Sequence, residues 1–199
     1  MAITNGYATL ADVKAALRVS DTLDDLLLEK AIESASRLID GYCGRVFYSA
    51  GTVTRYYAPQ DTIVTDLDDF VSISEIKSST LADGTFDTTW QTTDYQVEPL
   101  NGIADGVSFP TYRIRAVGDY YFPIAGDEAT VRVTGVAGWS AVPITVNQAC
   151  IIQSLRIFKR LDSPLGITFG ELGAMRVSSR LDPDVAQLVE PLRRTRNIG

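Results

Sequence analysis

The chain has 199 residues, of which 22% are charged, with a formal net charge of −7 and no histidine. That length fits one domain, or a core with a large insertion, and is enough to bury a real core. The acidic balance argues against general nucleic-acid binding. The missing histidine excludes Ser-His-Asp and Cys-His catalysis, histidine-ligated metals and the usual near-neutral proton shuttle. Cys43 and Cys150 are the only cysteines, too few for a disulfide framework or a four-cysteine zinc site, and each reads as a small buried apolar side chain. There is no run of eighteen apolar residues, and residues 1–6 lack the basic start and apolar stretch of a signal peptide, so a cytosolic origin is expected.

In chain order, Thr9 opens a short helix, with Asp12 three residues on in a capping-box pattern. Leu10, Val13, Ala16 and Leu17 form its stripe, and it ends near Val19. A tight turn over 20–22 leads into the helix that organises the chain, residues 26–42. At 3.6 residues per turn, Leu27, Leu28, Ala31, Ile32, Ala35, Leu38, Ile39 and Tyr42 share one side. Glu29, Lys30, Glu33, Ser36, Arg37 and Asp40 take the other, and Leu26 alone falls off the stripe. Asp21 or Thr22 is the expected cap, Glu33 and Arg37 the expected ion pair, and Gly44 the stop. On this reading Leu38→Asp prevents soluble folding, because it places a charge in a continuous apolar stripe.

After Gly44 the pattern changes from helical to extended. Segments 53–57, 62–65, 71–77, 90–97, 112–117 and 129–136 are short, rich in β-branched and aromatic residues, and separated by turn chemistry such as Ala82-Asp83-Gly84 and Asn101-Gly102. They predict an antiparallel β module with at least one solvated face. Pro143 then starts a helix over 144–161, whose apolar side holds Ile144, Val146, Cys150, Ile151, Leu155, Ile157, Phe158 and Leu161. So wide a stripe predicts the central helix of a small bundle. Residues 163–179 hold three glycines and a proline without usable period and read as a loop or mobile arm. Asp182 caps a last short helix with Pro183 at its first position, a stripe of Val185, Leu188, Val189 and Leu192, and an end at Pro191.

The expected fold is therefore α+β. An N-terminal helix pair and a long C-terminal helix form a helical core over 1–45 and 143–162. An antiparallel β module is inserted at 46–142, and 163–199 is a C-terminal arm with a short helix. Charge is uneven: from Arg156 onward eight bases face five acids, a net of +3, which leaves −10 on residues 1–155. An acidic body with a basic tail suggests docking on an acidic surface, possibly that of another copy.

Candidate chemistry is thin. Asp61, Asp66, Asp68 and Asp69 offer oxygen ligands for a hard cation but lack the EF-hand spacing, so a solvated acidic loop is the better reading. Gly166, Gly170 and Gly173 have no Gly-Lys-Ser/Thr after them and read as a hinge rather than a phosphate loop. Tyr56-Tyr57 and Tyr120-Tyr121-Phe122 could stack bases, but in an acidic module they fit sheet packing or a protein interface better. No base and nucleophile pair is visible. The residues predict no catalytic site, no cofactor and no metal.

The opening Tyr7-Ala-Thr-Leu-Ala-Asp-Val-Lys-Ala-Ala-Leu-Arg18 and the helix end Leu38-Ile-Asp-Gly-Tyr-Cys-Gly-Arg45 resemble the N-terminus of phage head-tail connector (adaptor) proteins. These are the gp6-like or gp15-like proteins of long-tailed phages and gene transfer agents. Val136-Ala-Gly-Trp139 through Pro143 to Ala149 is similar to the family's lead into its second long helix. Leu181-Asp-Pro-Asp-Val185 with Pro191-Leu-Arg-Arg194 is similar to its C-terminal signature. The resemblance implies a non-enzymatic virion protein at the head-tail interface, made in the bacterial cytoplasm. It implies a homo-oligomeric ring, dodecameric in the family, bound to the portal and to a stopper or tail-completion protein. DNA would pass its lumen without sequence-specific binding, and no membrane is involved. From its glycine-spaced arm and short helix, the basic tail is expected to be mobile in the monomer and to order on assembly, the alternative being a tail packed permanently on its own bundle. Arg180, Leu188, Leu192, Arg193, Arg194 and Arg196 would then meet the portal or a neighbouring subunit. Two other classes fit the residues: another neck or tail-completion protein, and a ligand-binding β module on a helical base.

Overall fold

The computed structural model describes residues 3–104, 106–161, 167–170, 173–176 and 181–194. Its fold is α+β and rich in sheet, with four α-helices and a six-stranded antiparallel sheet among the described residues. The chain divides into two compact units, residues 1–47 with 142–199, and residues 48–141.

The first unit begins with α1, Leu10–Leu17. Thr9 accepts from the Asp12 amide at 3.1 Å while the Asp12 carboxylate accepts from the Thr9 amide at 3.1 Å, a complete capping box. Helix α2 is Asp25–Cys43 and stops at Gly44, which takes a left-handed conformation with φ of 63°. Its start differs from expectation. Asp24 holds the cap position without a side-chain bond, and Asp21 instead accepts from the Leu23 amide at 3.1 Å inside the preceding turn.

The buried side of α2 is also rotated from the expected one. Leu28, Ala31, Ile32, Ala35, Ser36, Ile39 and Cys43 are buried, whereas Leu27 is 42% exposed and Leu38 47%. Ser36, a polar residue assigned to the outside, lies at the centre of the contact. Its hydroxyl donates to the Ile32 carbonyl at 2.8 Å, satisfying itself within its own helix. The small side chains Ala31, Ala35 and Ser36 therefore let the next helix approach closely, and the larger Leu38 is left outside. The expectation that Leu38→Asp abolishes folding does not survive this placement.

Helix α3, Ile144–Leu161, has the expected bounds, with the Asn147 amide donating to the Pro143 carbonyl at 3.0 Å. It too buries small residues. Val146, Ala149, Cys150, Gln153 and Ser154 are buried, while Ile144 is 79% exposed and Ile151, Ile152 and Leu155 are half-exposed. Ser36 Oγ lies 3.4 Å from Cys150 Sγ, which places the two small-residue faces against each other. Tyr7 ties this unit together. Its amide donates to Ser36 Oγ at 3.0 Å, its carbonyl accepts from Asn147 Nδ2 at 2.8 Å, and its hydroxyl donates to Asp40 and accepts from the Phe47 amide at 2.8 Å.

Residues 163–179, expected to be a loop, include two short strands, β9 (Ile167–Gly170) and β10 (Gly173–Arg176), paired antiparallel. Four-residue strands are too short to show a period in sequence, which is why the pattern was missed. Gly166 lies outside the described residues. Helix α4 is Pro183–Val189, capped by Asp182, which accepts from the Asp184 amide at 3.0 Å, and followed by a 3₁₀ turn over Glu190–Leu192.

The second unit is built on one sheet. Its strands are β1 (Ser49–Tyr57), β2 (Val64–Ser78), β3 (Thr88–Thr89), β4 (Tyr95–Glu98), β7 (Thr111–Ala116) and β8 (Val131–Gly138), with a separate small pair β5 (Ile103–Ala104) and β6 (Val107–Ser108). The order is β1-β8-β2-β7-β4, all antiparallel, with β3 on the end of β2. Two expected segments, 62–65 and 71–77, prove to be parts of the single strand β2. The acidic run between them is thus a strand and not a loop. Thr65, Leu67 and Asp69 are buried while Asp66 is exposed and Asp68 half-exposed, the alternation of a strand. Phe70, Ile76, Trp90, Ile114, Phe122, Val131 and Val133 form the core. Glycine is required at 138: φ is 96°, and a Cβ there would lie 1.9 Å from the Tyr48 carbonyl oxygen.

Candidate partner-binding surface

The C-terminal segment is seated on its own helical unit. Val185 and Val189 are fully buried, Leu192 is 3% exposed and Leu188 half-buried. Polar links fix both ends. Arg156 pairs with Asp182, the Asp182 amide donates to Gln153 Oε1 at 3.4 Å, and the Arg194 amide donates to the Cys43 carbonyl at 2.8 Å. Tyr42 donates its hydroxyl to Glu190, and that bond is the main cause of its raised pKa. The Arg193 guanidinium stands 5.2 Å from the Tyr42 ring centroid and 3.6 Å from Glu190.

The six residues named from sequence therefore separate. Leu192 belongs to the chain's own core, so an anchor role would require it to leave that core. Leu188 and Arg194 are partly covered, and Arg193 is exposed. Arg180 and Arg196 lie outside the described residues.

Sequence reasoning missed a different surface. Leu23 is 89% exposed, and Leu26, Leu27 and Leu38 follow it along the outer side of α2, beside the exposed Asp21 and Asp24. A signal existed: α2 carries more leucines than one face can bury, and Leu26 already fell off the stripe.

The second unit carries thirteen acids and five bases over residues 48–141, a net of −8. All five bases are engaged. Arg55 pairs with Asp68 at 2.5 Å, Arg113 with Asp66 at 2.6 Å, Arg115 with Glu98 at 2.7 Å, Lys77 with Glu75 at 3.1 Å and Arg132 with Glu75 at 3.2 Å. The four aspartates weighed as cation ligands have separate tasks. Asp61 accepts from the Ile63 amide at 2.6 Å, and buried Asp69 accepts from Trp139 Nε1 at 2.8 Å. Among the described residues no cluster of three carboxylate, thiol or imidazole groups could hold a metal.

The tyrosine pairs are likewise divided. Tyr57 bonds Asp68 at 3.2 Å, and burial raises its pKa, whereas Tyr56 is exposed against Phe86. Phe122 stacks on Trp90 with centroids 4.5 Å apart, and Tyr121 stays exposed at the mouth of a shallow cleft of about 190 Å³ beside Trp90 and Asp94. The thiols are withdrawn from chemistry: burial pushes Cys43 up to about 12 and raises Cys150 as well.

Comparison with known proteins gives a consistent result. The model of the phage gp6-like head-tail connector proteins matches residues 7–78. No curated protein matches the chain in sequence. Among solved structures, a chain in the neck of an empty GTA particle, computed with C6 symmetry, is similar over 100% of this chain and 95% of its own, at 17% identity and a TM-score of 0.59. A chain in the neck of the native particle, computed with C12 symmetry, has the same coverage and TM-score at 18% identity. One from the virion of the native gene transfer agent is similar at 17% identity and a TM-score of 0.56. At these identities the likeness is one of fold, and it extends over both units. Over residues 7–78 the chain is similar to the phage gp6-like head-tail connector proteins.

Proposed function

We propose that the protein is the structural head-tail connector of a tailed phage or phage-like particle, located in the neck of the virion. Copies form a ring on the portal, extend its DNA channel and offer a platform to the stopper or tail-completion protein. The observation that carries this reading is the joint one: a connector match over residues 7–78 and a shared fold with GTA neck chains along the full length. Solution of those necks with C6 and C12 symmetry supports a homo-oligomeric ring, with twelve copies as the proposed number. The role is non-enzymatic. The helices act as a small bundle over 1–45 and 143–162, the β module is an insertion at 46–142, and 163–199 is an arm whose Arg180, Arg193, Arg194 and Arg196 meet carboxylates of the portal or a neighbour, with Leu188 and, once lifted from the chain's own core, Leu192 as its apolar anchor. An acidic β module has no attraction for DNA phosphates, so DNA could pass without being gripped.

Electron microscopy of the purified chain, alone and mixed with the portal of its own particle, tests the reading. Rings with a central opening, in either sample, are the expected result. A chain that stays monomeric in both overturns it.

A further inference from the structure

A closed ring uses two different faces of each copy, because every copy meets one neighbour with one face and the next neighbour with another. The helical unit carries two such faces. On α2 the outer side holds Leu26, Leu27 and Leu38, with Leu23 just before it, and its N-terminal end is acidic through the exposed Asp21 and Asp24. On α3 the side away from Val146, Ala149, Cys150 and Gln153 holds Ile144, Ile151, Ile152 and Leu155, and it ends at the exposed bases Lys159 and Arg160. From its charged end to its last apolar residue each face spans about fifteen residues, Asp24 to Leu38 on α2 and Ile144 to Lys159 on α3, or ~22 Å at the helical rise. On the α2 side the exposed Lys30, Ser34 and Arg37 lie between Leu27 and Leu38.

We infer that the outer face of α2 in one copy packs against the outer face of α3 in the next. The inference rests on the ring reading above and assigns the contact that closes the ring. Charge sets the direction. Asp21 and Asp24 at the start of α2 meet Lys159 and Arg160 at the end of α3, so the two helices run antiparallel across the contact. Leu38 then falls opposite Ile144, at the far end of both strips. The equal lengths let the charged ends and the apolar ends match at once. A two-fold α2–α2 pair would set Asp21 and Asp24 against each other if parallel and against Leu38 if antiparallel, and neither arrangement gives these acids the bases that α3 offers. That favours a head-to-tail chain of contacts.

The experiment uses the full chain with its portal. Leu38→Cys and Ile144→Cys change two exposed positions, and the native thiols are buried. Mixed under mild oxidation on the portal, the two single variants are expected to cross-link as dimers, while each alone does not. A chain carrying both is expected to give a ladder of multimers. Separately, Asp24→Lys and Lys159→Glu should each lower ring yield at least tenfold, and the two together should restore it. Wild-type rings with no cross-link between the mixed variants, or a cross-link to the portal instead, overturn this contact and leave the ring reading standing. Charge variants that assemble as wild type do the same. Absence of wild-type rings, with and without portal, overturns both.

Discussion

The seam between α2 and α3 is lined by Ala31, Ala35, Ser36, Ala149, Cys150 and Ser154, whereas the core of residues 48–141 is filled by Phe70, Trp90, Phe122, Ile76, Ile114, Val131 and Val133. Small residues bring two helix backbones close and leave no space for added atoms. Large ones fill space, and their loss opens a cavity. The units differ outside as well. The sheet spends all of its bases on its own acids, while the helical unit leaves leucines and an isoleucine on its surface. One unit is thus sensitive to removal of bulk and the other to its addition.

The largest expected effect is loss of bulk in the sheet unit. Phe122→Ala, which removes the ring stacked on Trp90, should cost about 3–5 kcal/mol in urea unfolding. A cost below 1 kcal/mol would show that the sheet core tolerates cavities. Ala35→Leu should cost about 1–3 kcal/mol by overpacking the seam, and an unchanged midpoint would show the seam to be loose.

Tyr7→Phe comes next. It removes one hydroxyl that serves both Asp40 and the Phe47 amide, for about 1–2 kcal/mol, measurable as a lower melting temperature.

Asp40 itself gives a pH signature. Burial, the largest influence, raises its pKa above the ordinary carboxylate value despite Tyr7 and Arg37. The folded chain therefore holds this proton more firmly than the unfolded one. Its contribution to stability is complete below the ordinary value and is lost as pH rises through the raised one. The stability difference between wild type and Asp40→Asn should fall across that window, and a flat difference would remove Asp40 from this role. The smallest effect is expected at Leu38→Asp, within about 0.5 kcal/mol of wild type because the side chain is exposed. Insoluble protein would return Leu38 to the core.

Much of the fold was legible in the residues. The bounds of α3, the Thr9–Asp12 box and the stop at Gly44 depend on local chemistry, and local chemistry is what a sequence displays. The errors share a cause. Ser36 reads as an outward residue and Leu38 as an inward one until it is known that the neighbouring helix presents Ala149 and Cys150, which leave room for a hydroxyl but not for a leucine. The acidic run of β2 reads as a loop because its charges hide an alternation that Arg113 and Trp139, more than forty residues away, make affordable. The candidate tail residues were placed by charge and resemblance alone, and neither shows that Leu192 is buried.

The Tyr7 tie has a consequence for how the protein is made. Its partners are Ser36, Asp40 and Phe47 on one side and Asn147 on the other, a separation of 140 residues along the chain. During synthesis α1 and α2 leave the ribosome long before α3 exists, and their small-residue face has nothing to cover it. Residues 48–141 emerge in between, with their sheet partners all internal, and can fold while the rest waits. The chain should thus acquire its middle first and its two ends last. Chains ending at residue 141 and released from the ribosome should hold a protease-resistant sheet and cleavable N-terminal helices.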